Sequence, residues 1–177
     1  MANTIKTNFD YLPQNKRDEL QTVVRMIREE FEVEMIILFG SYARDEWVEE
    51  LGEDEFYYKY QSDFDILVIA DRKYANKHKK WDRLEDRIIR SSVVPTPVTL
   101  IHHSTGYVND RLSKGHYFFT DIVKEGILLY DSKHHELAEP RELTPEEYKD
   151  KATRYFKYWF KRGNSFGSMS NSVGSQI

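Results

Sequence analysis

Leu38-Phe39-Gly40-Ser41-Tyr42-Ala43-Arg44, followed further on by Ser62-Asp63-Phe64-Asp65-Ile66-Leu67-Val68, decides how this chain is read. Met35 to Phe39 is an apolar run too short for a helix and ended by Gly40, the pattern of a buried strand. Phe64 to Ile69 is a second such strand, with acids at its leading end. A strand that ends in Gly-Ser and leads into a helix exposes backbone N–H groups with no Cβ in the way. Such a turn can cradle phosphate oxygens, and the serine hydroxyl adds a donor. Asp63 and Asp65 are two apart on a strand, so both side chains project from one face. Two carboxylates that close repel one another unless a cation sits between them. Hard, octahedral Mg²⁺ is held by one or two carboxylates plus substrate phosphates. Together the two stretches describe a nucleoside triphosphate on metal ions, set for in-line attack at phosphorus. Each alone has an ordinary explanation, a strand-end polar cluster for Asp-x-Asp and a plain turn for Gly-Ser. Joined in this order, each on an apolar strand, they point to chemistry.

Outward from these strands the periodicity alternates. Leu20, Val23, Val24, Ile27 and Phe31 form a stripe of helical period, which predicts a helix from about Asn15 to Phe31. Arg44 to Gln61 is polar and acidic, with Phe56, Tyr57, Tyr58 and Tyr60 near its end. A second amphipathic helix is predicted from about Lys77 to Arg90, with Trp81, Leu84 and Ile88 on one face. Pro95 and Pro97 introduce a third strand, Val98 to Ile101. A short helix around Val108 to Ser113 comes next. His116 to Glu125 reads as a helix closed by Gly126 as its C-cap, and Ile127 to Tyr130 as another strand. Helices alternating with short apolar strands predict an α/β (α+β) fold with a mixed sheet.

Thr144-Pro145-Glu146-Glu147 is a capping box with proline at the first helical position. The helix it opens carries an aromatic face of Tyr148, Ala152, Tyr155, Phe156 and Trp159. After Arg162 the chain turns to Gly, Ser and Asn, which predicts a disordered tail. The organisation expected is therefore a main domain over 1–132, a linker and C-terminal helix over 133–162, and a tail over 163–177.

Composition bounds the function. A chain of 177 residues with 40% hydrophobic content can bury a real core. Cysteine is absent, which removes disulfide frameworks and thiolate metal sites. The N-terminus lacks the apolar stretch of a signal peptide, and no run suits a transmembrane helix, so a cytoplasmic location is expected, with no membrane partner. A net charge of −4 argues against nucleic acid as the main partner. Arg72, Lys73, Lys77, Lys79 and Lys80 form a local basic cluster, whose plain reading is a solvated helix start.

FGSYAR followed by SDFDILVI resembles the signature of the DNA polymerase β-like nucleotidyltransferases, particularly the small bacterial members. Those include antitoxin-type minimal nucleotidyltransferases paired with HEPN-domain proteins, and aminoglycoside nucleotidyltransferases. The resemblance spans roughly residues 17 to 130. It implies a mixed sheet flanked by helices, triphosphate binding by Gly40 and Ser41, and metal binding by Asp63 and Asp65. The metal implied is Mg²⁺ or Mn²⁺ and the substrate an NTP, ATP foremost. Arg44 is expected to offset charge on the leaving pyrophosphate.

Two departures from the family pattern stand out. The glycine-serine turn and the first Asp lie closer together in small bacterial members, whereas 21 residues separate Ser41 from Asp63 here. Glu46 to Tyr60 therefore reads as a loop insertion beside the site, which loop-closure entropy tolerates. The family's third acid is expected in a Pro-Val-Asp-Leu context, but this chain has Pro97-Val98-Thr99-Leu100. Threonine neither carries negative charge nor accepts a proton near neutral pH. Strand alternation puts Thr99, Ile101 and His103 on one face, which makes His103 a candidate substitute. The segment from Tyr148 to Phe160 also looks like the opening helix of a HEPN domain, of which the remainder would be missing. The expectation is a nucleotidyltransferase moving a nucleoside monophosphate to an acceptor hydroxyl, on a HEPN-type partner or on a small alcohol of aminoglycoside type. The alternative is a catalytically weakened nucleotide-binding module. His102-His103 and His134-His135 add only a weak hint of metal binding.

Overall fold

The computed structural model describes residues 5–49, 61–147, 149 and 153. The chain divides into Met1–Arg141 and Glu142–Ile177. The first unit holds four strands, β1 Val33–Phe39, β2 Phe64–Ala70, β3 Val98–Ser104 and β4 Ile127–Asp131. Its helices are α1 Gln14–Glu30, α2 Gly40–Ala43, α3 Arg72–Ala75, α4 His78–Ile89, α5 Thr105–Ser113 and α6 Tyr117–Glu125. The sheet order is β3-β2-β1-β4. β1 pairs antiparallel with β2 and with β4, while β2 and β3 run parallel, so the sheet is mixed as the alternation predicts.

β1 and β2 are central and covered on both faces, which is why they read as unbroken apolar runs. Strand alternation sends Ile36, Leu38, Phe64, Ile66 and Val68 into one core with Leu20, Val23 and Ile27 of α1 and Trp81, Leu84 and Ile88 of α4. Met35, Ile37, Leu67 and Ile69 point the other way, into a second core with Val108 and Leu112 of α5 and Phe119, Ile122 and Val123 of α6. Each fully buried side chain of this kind contributes about 1.5–3 kcal/mol. Trp81 anchors the first core: its ring stacks on Phe31 at 3.9 Å, and its Nε1–H donates to the Tyr74 carbonyl at 3.0 Å.

Residues 133–141 lie with the first unit, beyond the expected boundary at 132. The Asn109 side chain donates to the Glu136 carbonyl and accepts from Ala138 N–H, and Arg141 N–H donates to the Leu112 carbonyl. Gly126 ends α6 without the left-handed conformation usual for a glycine cap: its φ is −68°. Space is the reason. A Cβ there would meet the Ile122 carbonyl oxygen at 2.4 Å and Ile37 Cγ2 at 2.8 Å.

In the second unit the capping box forms as the sequence indicates. Glu147 N–H donates to Thr144 Oγ1 at 3.3 Å, and Thr144 N–H to Glu147 Oε2 at 3.0 Å. The aromatic face, the HEPN-like stretch and the expected disordered tail lie, but for Lys149 and Thr153, outside the described residues. Among the described residues no helix is long and apolar enough to cross a membrane.

Candidate functional site

The directions of three strands assemble the site. Because β1 and β2 are antiparallel, the end of β1 lies beside the start of β2, with Phe39 opposite Asp65. Because β3 is parallel to β2, its start lies at the same end, with Thr99 opposite Asp65 on the other side. Gly40-Ser41, Asp63, Asp65 and Thr99 therefore converge at one end of the three strands. Asp65 and Thr99 share the sheet face that α5 and α6 cover further along.

Gly40 is the closest point of this convergence. Its φ is +75°, and a Cβ built on it would fall 2.2 Å from Asp65 Oδ2, 3.1 Å from Asp65 Cγ and 3.3 Å from Asp65 Cβ. Glycine serves the carboxylate first: the bare Cα is what admits Asp65 against the turn. The turn continues into α2, where Arg44 N–H donates to the carbonyls of Gly40 and Ser41, and Glu46 N–H donates to Ser41 O at 2.9 Å.

Burial, and then the neighbouring Asp63, push the Asp65 carboxyl up to about 6, while Arg44 pulls the other way. Two carboxyl groups thus sit near one another, with Asp65 half-buried. Thr99 does not supply the missing acid. Its hydroxyl donates to Asp63 Oδ2 at 2.9 Å, a contact that orients Asp63 and leaves the third corner neutral. Asp63 and Asp65 are the side chains here that could hold a divalent cation together with phosphate oxygens. Among the described residues, no three His, Asp or Glu side chains are placed to hold a metal by themselves.

His103 does not replace the third acid. It lies four residues beyond Thr99 on β3, about 13 Å along the strand. There its ring stacks on Tyr107 at 4.3 Å and meets Phe119 edge-on, and burial lowers its basicity. His102 faces the opposite core, with Nδ1 at 2.9 Å from the Ala75 carbonyl and its ring stacked on Trp81. Arg44 does reach the site, but two carboxylates engage it: Nε donates to Glu46 at 2.8 Å, and Glu125 lies at 3.7 Å. The basic cluster is partly offset by acids, Lys73 by Glu32 at 2.6 Å and Lys80 by Glu30 at 3.7 Å, which accords with a solvated face.

The insertion leaves and returns at one point. Ser62 N–H donates to the Val48 carbonyl, Val48 N–H donates to Ser62 Oγ, and Glu49 bridges Gln61. The Trp47 ring stacks on Tyr42 at 5.3 Å and 8°. Residues 50–60, with Phe56, Tyr57, Tyr58 and Tyr60, lie outside the described residues. Composition and periodicity gave no sign of Glu125 as a partner of Arg44, or of the Thr99 to Asp63 hydrogen bond. Both contacts cross between segments remote in sequence.

No family model and no curated protein matches the sequence. Among solved structures the chain is similar to one in a complex of a tri-AMPylated Shewanella oneidensis HEPN toxin with an MNT antitoxin. That likeness has 15% identity over 92% of this chain and 100% of that one, with a TM-score of 0.40. The chain is also similar to a candidate nucleotidyltransferase from Sulfolobus solfataricus, at 20% identity over 70% of this chain and 88% of that one, with a TM-score of 0.42. Both likenesses are too distant to carry an argument about this chain.

Proposed function

We propose that this protein is a metal-dependent nucleotidyltransferase that moves a nucleoside monophosphate from an NTP, ATP foremost, to an acceptor hydroxyl. The observation that carries this reading is the contact of the Asp65 carboxylate with Gly40, which puts a strand-borne acid pair against a glycine-serine turn. Backbone N–H groups of the turn and the Ser41 hydroxyl would bind the triphosphate, and Asp63 and Asp65 would hold Mg²⁺ or Mn²⁺. The ion, when bound, polarises the reacting phosphorus and offsets charge that develops on its oxygens. Asp63, fixed by Thr99, and Asp65, fixed by Gly40, bring the metal-nucleotide to one orientation, so that catalysis rests on positioning. Arg44 would exchange its carboxylate partners for the pyrophosphate leaving group. With threonine at the third corner the site offers no base there, so the acceptor hydroxyl must lose its proton to solvent or to a group of its own.

A hydroxyl on a HEPN-type protein is the acceptor the sequence resemblance favours, and an aminoglycoside-type alcohol is the other. Calorimetry with Mg-ATP followed by transfer of label from ATP tests the whole reading. Metal-dependent binding lost in Asp63→Asn and Asp65→Asn, with label passed to a protein or alcohol, is the expected result. Binding without transfer to any acceptor would leave a nucleotide-binding module, the reading that the neutral Thr99 corner favours. No metal-dependent binding at all would sink both.

A further inference from the structure

Behind the glycine-serine turn lies a charged cluster that the chemistry above does not use. Lys16 of α1 is only 2% exposed and Glu19, one turn on, 5%. Lys16 Nζ donates to Thr96 Oγ1 at 2.7 Å and is 3.6 Å from Glu19, whose Oε2 accepts from Thr96 N–H at 3.0 Å. Its strongest partner comes from elsewhere: Lys16 pairs directly with Glu49, at the root of the insertion. Burial works against the Lys16 charge, but the Glu49 and Glu19 carboxylates outweigh it and hold its proton more firmly than usual. Three segments thus meet on one ammonium group: α1, the Thr96 segment leading into β3, and the insertion root.

This cluster borders the turn. Tyr42, the residue after Ser41, is fully buried; Lys16 and Glu49 both act electrostatically on its phenol. The Tyr42 ring is covered by Trp47 of the same insertion root, and its carbonyl accepts from Tyr11 O–H at 2.6 Å. The root itself donates Glu46 N–H to the Ser41 carbonyl. A loop that merely had to be tethered would be held more cheaply by apolar contact, which Trp47 already supplies. Burying a charge costs stability, and the attested return on that cost is a uniquely fixed geometry.

We infer that Lys16 and Glu49 are positioning residues for the Gly40-Ser41 turn: their ion pair, buried at Lys16 and exposed at Glu49, clamps the insertion root and α1 onto Tyr42, and so sets the turn that meets the phosphates. The insertion root is then part of the site rather than an appendage to it. The inference concerns positions 46–49 and rests on the proposed nucleotide site only for its functional readout.

The test uses the full chain and the variants Glu49→Gln, Glu49→Asp and the apolar pair Lys16→Met/Glu49→Met, each below its own unfolding midpoint. The Gly40 and Ser41 amide resonances are followed in ¹H–¹⁵N spectra, and Mg-ATP is titrated by calorimetry. Glu49→Gln is expected to shift both amides and weaken Mg-ATP at least tenfold. Glu49→Asp should recover most of both. The apolar pair should restore thermal stability without restoring the amide positions. If folded Glu49→Gln keeps the wild-type amide positions and binds Mg-ATP within twofold, the pair is only a structural tether and the inference is overturned. Should the wild type bind no Mg-ATP, the proposed function fails, while the amide shifts still decide the clamp. Should Glu49→Gln not fold, the same two readouts on Glu49→Asp and the apolar pair decide it.

Discussion

Alanine at position 40 is the sharpest probe of how the site is built. Gly40 adopts φ +75°, where an L-residue costs about 1–2 kcal/mol. The new Cβ would also lie 2.2 Å from Asp65 Oδ2, 3.1 Å from Cγ and 3.3 Å from Cβ. The carboxylate tip can swing away, but contacts at Cγ and Cβ mean that the whole side chain must shift. Overpacking of this sort costs about 1–3 kcal/mol, so Gly40→Ala is expected to lose roughly 2–5 kcal/mol in all. With a urea slope of about 1–3 kcal/mol/M, the midpoint should fall by about 0.7–5 M, and by about 2 M at the middle of both ranges. A double-mutant cycle separates the two causes. In an Asp65→Ala background the Oδ2 and Cγ contacts are gone and only the 3.3 Å approach to Cβ remains, so the same substitution should cost little more than the backbone strain, about 1–2 kcal/mol. Urea titrations of the four proteins give the coupling directly. Equal cost in both backgrounds, or a loss below about 0.5 kcal/mol for Gly40→Ala alone, would refute the claim that glycine is there to admit Asp65.

Further outcomes are expected at three positions. The Asp65 carboxyl titrates near 6 in the fold and near 3.9 in the unfolded chain, so the folded state holds its proton more tightly. Its ionisation therefore opposes folding: the loss begins as pH rises through 4 and is complete above 6. Asp65→Asn should accordingly be more stable than wild type at pH 7, with the difference closing below pH 4 by chemical denaturation. A constant difference across that range would contradict it. Thr99→Asp places a third charge opposite Asp65 and should tighten Mn²⁺ binding at least tenfold by calorimetry. Thr99→Val, which removes an exposed donor, should change stability by less than about 1 kcal/mol. Gly126→Ala meets the backbone carbonyl of Ile122 and the Ile37 side chain despite an ordinary φ, and should cost about 1–3 kcal/mol by denaturation.

Much of the framework was legible along the chain because it rests on local periodicity. The stripe Leu20, Val23, Ile27 gave α1, Trp81, Leu84 and Ile88 gave α4, and the unbroken apolar runs gave β1 and β2. Two-residue spacing put Asp63 and Asp65 on one face, and the Thr144–Glu147 capping box forms as written. The third strand runs to Ser104 rather than Ile101, since His102 and His103 are held by rings on opposite faces rather than by apolar character of their own.

What the sequence alone determined is which residues could carry chemistry: a glycine-serine turn, two acids on a strand, and a threonine where an acid was expected. Strand direction, and with it the site, was decided only by tertiary structure. Residue patterns fix which face a side chain takes, but not whether the neighbouring strand runs with it or against it. The antiparallel pairing of β1 with β2 brings Gly40 to Asp65, and the parallel pairing of β2 with β3 brings Thr99 to Asp63 while carrying His103 away. The partners of Lys16 belong to the same class of fact, since Thr96 and Glu49 reach it from distant segments. Only the fold brings such groups together, because a buried charge must find its counter-charge in space rather than along the chain.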